Sequence, residues 1–200
     1  DYGCSVFRGD ENDIIKRFRD AMESFQLDYV VQADGDDPLS ATEYMDITME
    51  ELLANSDIDI VTVDGLPLGC ATKSFSKTAV DKVFASYVTK ENDTGFIYFF
   101  TKTDICNHHV VQCKDPRHQH SKARLTLDYN EDLDLFNKIF EGVKSDCGLP
   151  SLAEIVSYLK SREELCEING FLEKTYNQRT LQKAKLKYQS ASGVSKSIDV

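Results

Sequence analysis

Two hundred residues with 34 acidic and 23 basic side chains carry a formal charge of −11, a balance that repels a phosphodiester backbone and speaks against nucleic-acid binding. The hydrophobic fraction, 41%, is that of a globular domain with a sizeable core, so wholesale disorder is excluded. No apolar run has the length of a membrane span or the form of a signal peptide, and the scattered cysteines, with no Cys-x-x-Cys pair, read as reduced thiols of a cytoplasmic protein.

The chain opens on Asp1, and Cys4–Phe7 reads as a short buried strand. Asp10 then caps a helix over 11–26, in which Ile14, Phe18, Ala21 and Phe25 recur at helical spacing. Tyr29–Val31 is a second strand, running into the acidic turn Ala33–Pro38. Helical spacing returns over 42–54, followed by a β-branched strand over 58–63, a loop at Gly65–Gly69 and a helix over 76–87. Phe96–Phe100 is aromatic and fits either helix or strand, while Val110–Val111 and Leu125–Leu127 read as strands. Leu133, Phe136, Ile139, Phe140 and Val143 form a helical stripe closed by Gly148 and Pro150. From Ser151 the pattern is helical only, with a capping box at Ser161 and Glu164, a basic solvated helix over 174–187 and a Ser-rich, frayed end. This order predicts an α/β layered domain over 1–150 with mainly parallel strands, a helical extension over 151–188 and a flexible tail over 189–200.

Two carboxylate sites stand at predicted strand ends, where ligands of α/β folds sit. One is Asp34-Gly35-Asp36-Asp37-Pro38; the other is Asp128, ahead of the helix that begins near Glu131 and Asp132. Mg²⁺ is usually held by one or two carboxylates, with waters and phosphate oxygens completing the octahedron, and two aspartates from separate loops meet that need. Gly35 would let the chain approach closely and Pro38 would stiffen the exit. The same residues also make a good solvated turn and helix start, so the turn reading stands beside the metal reading.

Three segments, in order, carry a family resemblance. Val30-Val31-Gln32-Ala33-Asp34-Gly35-Asp36-Asp37-Pro38-Leu39 resembles the strand and Gly-Asp-x-Pro-Leu segment of CMP-Kdo synthetases, of the acylneuraminate cytidylyltransferase type, and of the spore-coat polysaccharide cytidylyltransferases. Val6-Phe7-Arg8-Gly9-Asp10-Glu11-Asn12-Asp13-Ile14-Ile15-Lys16-Arg17-Phe18 is similar to the Val-x-Arg-Gly-Ser-Glu-Asp-Asp-Val-Leu-x-Arg-Phe segment of the spore-coat group. Arg124-Leu125-Thr126-Leu127-Asp128-Tyr129-Asn130-Glu131-Asp132-Leu133 resembles that group's Arg-Leu-Thr-Val-Asp-Thr-Pro-Glu-Asp-Leu. The resemblance covers about residues 1–145 and implies a three-layer α/β/α, Rossmann-like mixed sheet of the nucleotide-diphospho-sugar transferase type. It implies CMP transfer from CTP to an acidic or modified sugar, with pyrophosphate release, for surface glycans. Asp36 and Asp128 would be the catalytic metal ligands, with Mg²⁺ as cofactor. Arg8, Arg17, Gln32 and Asp37 would contact substrate, a guanidinium pairing with a sugar carboxylate. A homodimer is expected from the resemblance and from the aromatic run 96–100.

Three departures are visible. The family's nucleotide-gripping strand and loop would lie before Asp1. Ala71 and Lys73 replace the spore-coat group's Asp and Glu after the Pro-x-Gly turn, and Asn130 stands in place of Pro. The 200 residues alone are therefore expected to bind CTP weakly, and a non-catalytic binding or assembly subunit is the alternative, with a different nucleotide-sugar enzyme on the same scaffold as a third reading. Cys106, His108, His109, Cys113, His118 and His120 could hold zinc, but their spacing matches no standard pattern and an irregular polar loop explains them equally.

Overall fold

The computed structural model describes residues 3–143, 148–183, 186–190 and 193–198; Cys147 lies outside the described residues. The first helix, α1, spans Ile14–Ser24 and is capped by Asp13, whose carboxylate accepts from the Lys16 amide at 3.1 Å. Asp10, expected as the cap, shapes the preceding turn by accepting from the Asn12 and Asp13 amides, both at 3.1 Å. The buried face is carried by Ile15 and Met22, with Phe18 packed on Phe75, and the stripe is rotated so that Phe25 remains 41% exposed. The helix start is anchored from afar: Asn92 is fully buried, its Oδ1 accepts from the Ile14 and Ile15 amides at 2.8 and 3.3 Å, and its Nδ2 donates to Asp13 at 2.9 Å.

Cys4–Phe7 is not a strand. The segment lies outside the sheet, with Val6 77% exposed, because Phe7 packs on Phe25 and Gly9 lies against Arg17, which ties the segment to α1 instead. The sheet holds four strands, β1 (Tyr29–Gln32), β2 (Ile60–Asp64), β3 (Lys73–Ser76) and β4 (His108–Gln112), in the order β1-β3-β2-β4. β2 and β4 are parallel, but β3 runs antiparallel to both β1 and β2, so the sheet is mixed rather than mainly parallel. β3 has the sequence Lys-Ser-Phe-Ser, with only one apolar residue, and its buried Ser74 is satisfied by Thr48, hydroxyl to hydroxyl at 2.7 Å. Leu125–Leu127 forms no strand; one parallel bridge joins Leu68 and Arg124.

Helices flank this sheet. α2 (Thr42–Ala54) has the expected bounds; α3 (Lys77–Ser86) is capped by Ser76, and the aromatic run resolves into a short helix, α4 (Tyr98–Thr101). One hydrophobic cluster gathers Ile15, Met22, Ile60, Phe75, Val80, Val83, Phe99 and Phe100. A second gathers Tyr44, Val63, Cys70 and Leu125 with two more helices, α5 (Asn130–Gly142) and α6 (Leu152–Ser161). The capping box sits at Ser151 and Glu154, not at Ser161 and Glu164; the Ser161 hydroxyl instead donates to the Tyr158 carbonyl at the end of α6. After a 3-10 turn over Glu163–Glu167 and the helix α7 (Leu172–Lys183), the chain is no longer helical: β5 (Lys187–Gln189) and β6 (Ser195–Ser197) pair as an antiparallel hairpin. The expected frayed end is held there because Leu186, Tyr188 and Ile198 are buried in the first cluster. None of the described helices is long and apolar enough to cross a membrane.

Asn92→Ala would strip two buried amides of their acceptor and Asp13 of a donor. The expected loss is about 2–4 kcal/mol of unfolding free energy, read by urea denaturation, with the far-ultraviolet circular dichroism of the folded protein retained.

Candidate active site

Three loops are knitted edge to edge by backbone hydrogen bonds. The Ala41 amide donates to the Cys70 carbonyl at 2.9 Å, the Leu125 amide to the Leu68 carbonyl at 2.7 Å, and the Leu127 amide to the Asp36 carbonyl at 2.8 Å. The glycine this packing requires is Gly69: its φ is +90°, and a Cβ there would stand 2.4 Å from the Leu125 carbonyl oxygen. Gly35, expected to permit a close approach, has no atom within 4 Å of where its Cβ would be.

The loops surround a cavity of about 410 Å³. Asp36, Asp37 and Asp128 all line it, joined by Asp34 and Asp93, and Lys73 contributes a cation. Aromatic faces come from Phe96, Tyr98, Tyr129 and Tyr176, the last reaching in from α7. Asp36 is exposed, and its carbonyl also accepts from the Thr126 hydroxyl at 3.4 Å. Burial pushes the Asp37 carboxyl up to about 6, against the pull of the Thr126 hydroxyl and with the charges of Asp34 and Asp36 adding to the rise. Burial also raises the Tyr176 hydroxyl, followed by the charges of Asp128, Asp36 and Asp37.

Asp128 is positioned by a buried network. Arg124, 1% exposed, donates to Asp128 through Nη2 and to Asp132 through Nε at 3.0 Å. Asp132 accepts from the Asp128 and Tyr129 amides, each at 3.0 Å, which also opens α5. Burial works to raise the Asp132 carboxyl, yet Arg124, these amides and Asn169 outweigh it and hold the group below its ordinary value. Asn169 donates to Asp132 at 2.8 Å and to the Arg124 carbonyl at 2.9 Å, and the Arg124 guanidinium lies 5.3 Å from the centre of the Tyr176 ring. Residues beyond 161 thus bear directly on the cavity wall.

Other expected contacts are not brought to this place. Arg8 is exposed on the segment outside the sheet, and Arg17 holds the carbonyls of Asp10 and Glu11 at 2.7 and 2.8 Å; neither lines the cavity. Gln32 is buried and acts indirectly, its Nε2 donating to Asp34. The cysteines and histidines of 106–120 disperse: His108 meets Thr62, His109 faces Glu51, His120 nears Cys166, while Cys113 and His118 both contact the Tyr44 hydroxyl, at 3.0 and 3.2 Å. Among the described residues no three of His, Cys, Asp or Glu gather as a metal cage. Sequence reasoning missed Asp93, Tyr129 and Tyr176, which carry no local motif, and passed over Lys73, which it met only as a departure from the resemblance.

With this geometry in place, the chain can be set beside known proteins. No family profile matches the sequence. It is similar to an uncharacterized protein of Methanocaldococcus jannaschii, 28% identical over 184 residues that cover 88% of this chain and 72% of that one. Its fold is similar to that of a cytidylyltransferase from Leptospira borgpetersenii, with a TM-score of 0.70 and 23% identity, over 82% of this chain and 69% of the other. The fold is therefore a mixed α/β fold, its four-stranded sheet flanked by helices, of the kind seen in that cytidylyltransferase.

Two outcomes test this description. Asn169→Leu leaves Asp132 and the Arg124 carbonyl without a buried donor, and is expected to lower unfolding free energy by roughly 2–4 kcal/mol in chemical denaturation. Burial holds the Cys70 and Cys106 thiols at about 12, so at pH 8 both stay protonated as well as covered. Iodoacetamide followed by peptide mapping should label the exposed Cys4 first, and Cys70 and Cys106 only in denaturant.

Proposed function

We propose that this chain is a nucleotidyltransferase that moves the cytidylyl group of CTP onto a sugar, releasing pyrophosphate. The observation that carries the reading is the meeting of Asp36 and Asp128 at one cavity, from segments 92 residues apart, with the Leu127 amide bound to the Asp36 carbonyl between them. The sequence resemblance and the fold of the Leptospira cytidylyltransferase point the same way.

The donor set suits Mg²⁺. Both candidates offer hard carboxylate oxygens, and a site with two protein ligands is what an ion arriving with a nucleotide requires, since phosphate oxygens and water complete its shell. When bound between Asp36 and Asp128 the ion would neutralise phosphate charge and stabilise the pyrophosphate leaving group. The chain's own residues supply position. Arg124 holds one Asp128 oxygen and fixes the carboxylate's orientation, and the Thr126 hydroxyl, 3.2 Å from the same oxygen, steadies it further. Tyr98, Tyr129, Tyr176 and Phe96 give apolar faces against which a ring can lie while water is kept from the reacting phosphate. In a lining with five carboxylates and one lysine, a triphosphate is expected to bind only in company with a divalent cation.

The direct assay is pyrophosphate release from CTP with a panel of sugars, in Mg²⁺ and after chelation. Release should vanish with chelator and fall about 100-fold or more in Asp36→Asn, with the melting temperature little changed. Silence with every sugar, together with no Mg²⁺-dependent CTP binding in calorimetry, would favour a non-catalytic binding subunit. Sedimentation equilibrium tests the accompanying proposal of a homodimer.

A further inference from the structure

The lining described above places one ammonium among five carboxylates. Lys73 stands at the start of β3, in the middle of the sheet, paired in register with Gln32 of β1 and Thr62 of β2, so its backbone is fixed from both sides. Its side chain is 20% exposed and its Nζ lies 2.7 Å from Asp34 Oδ2, while the other Asp34 oxygen is held by Gln32. Asp34 is therefore tethered independently of Lys73. An ammonium carries three N–H donors, and the contact with Asp34 uses one.

A lysine here also reverses the chemistry of the position. In the spore-coat cytidylyltransferases that the sequence resembles, this place is acidic; a carboxylate accepts hydrogen bonds from ligand hydroxyls, whereas an ammonium can only donate. The ligand group it meets must be an acceptor, and an oxyanion makes the stronger, charge-assisted bond. The nucleotide is common to that family, so a change of sign at one wall follows the part of the substrate that differs, the acceptor.

We infer that Lys73 is the acceptor-selecting residue of this cavity, its ammonium binding a phosphate or carboxylate carried by the acceptor sugar, with Asp34 holding the ammonium in place until that anion arrives. This rests on the nucleotidyl-transfer reading, and the experiment separates the two. Glucose 1-phosphate, glucuronate and glucose are titrated into the protein with Mg²⁺ present, by calorimetry, and the first two arms distinguish phosphate from carboxylate. One or both anionic sugars should bind about tenfold or more tightly than glucose, and Lys73→Met should erase that margin. Lys73→Arg should keep most of it, which controls for folding. Asp34→Asn, by releasing the ammonium from its tether, should tighten the anion; a lysine serving only the fold would give no such gain. If glucose and the anionic sugars bind alike, or if Lys73→Met weakens CTP and leaves the sugars untouched, the inference is overturned. Lys73-dependent sugar binding without any CTP-dependent pyrophosphate release would sustain the anion site while removing the transfer reading.

Discussion

A guanidinium buried to 1% exposure keeps its proton at any physiological pH, so the fold around Arg124 must answer a permanent charge on the spot. It does so with Asp132 and Asp128, and each partner is itself fixed. Asp132 is locked by the amides that open α5 and by Asn169, and Asp128 by its own place ahead of that helix. Breaking such a buried set leaves an uncompensated charge, which is why its members hold one another so firmly. Through it the start of α5, the loop carrying Asp128 and the segment between α6 and α7 become one rigid wall of the cavity.

The opposite wall comes from the sheet, and its character follows from the direction of β3. Because β3 runs antiparallel between β1 and β2, the first residue of β3 lies beside the last residue of β1, Gln32. The strand that brings Lys73 in and the strand that leads out to Asp34, Asp36 and Asp37 therefore end at the same edge. Had β3 been parallel, as the alternation of elements led one to expect, its first residue would have faced Tyr29 at the far end of β1.

What could be read in the sequence was whatever had a local signature. α2 has the periodicity of a half-buried helix and the bounds assigned to it, and the acidic turn after β1 and the Arg-Leu-Thr-Leu-Asp segment were recognisable as motifs. β3 was illegible because one of its two buried side chains is a serine, and Thr48, which satisfies it, lies 26 residues away. Cys4–Phe7 looked like a strand because it is apolar, but an apolar run becomes a strand only where a neighbour offers a ladder, and Phe7 instead found Phe25. Gly35 and Gly69 show the same limit: both stand in turn-like sequences, and only the approach of Leu125 makes one of them necessary. Tyr176 reaches the cavity from a helix 48 residues beyond Asp128, by a contact that no spacing rule encodes.

The two hydrophobic clusters differ in how much of the chain they need. The one around Leu125, Leu135 and Ile155 is assembled from residues between Ala41 and Cys166. The one around Phe75 and Phe99 begins at Ile15 and is closed by Leu186, Tyr188 and Ile198 of the final hairpin. During vectorial synthesis the former has all its pieces once Cys166 has cleared the ribosome exit tunnel, whereas the latter stays open until the hairpin follows. The nascent chain thus passes through a stage in which the wall built on Arg124 can stand while the aromatic side of the molecule waits for its last strand, an exposed apolar surface of the kind that chaperones bind.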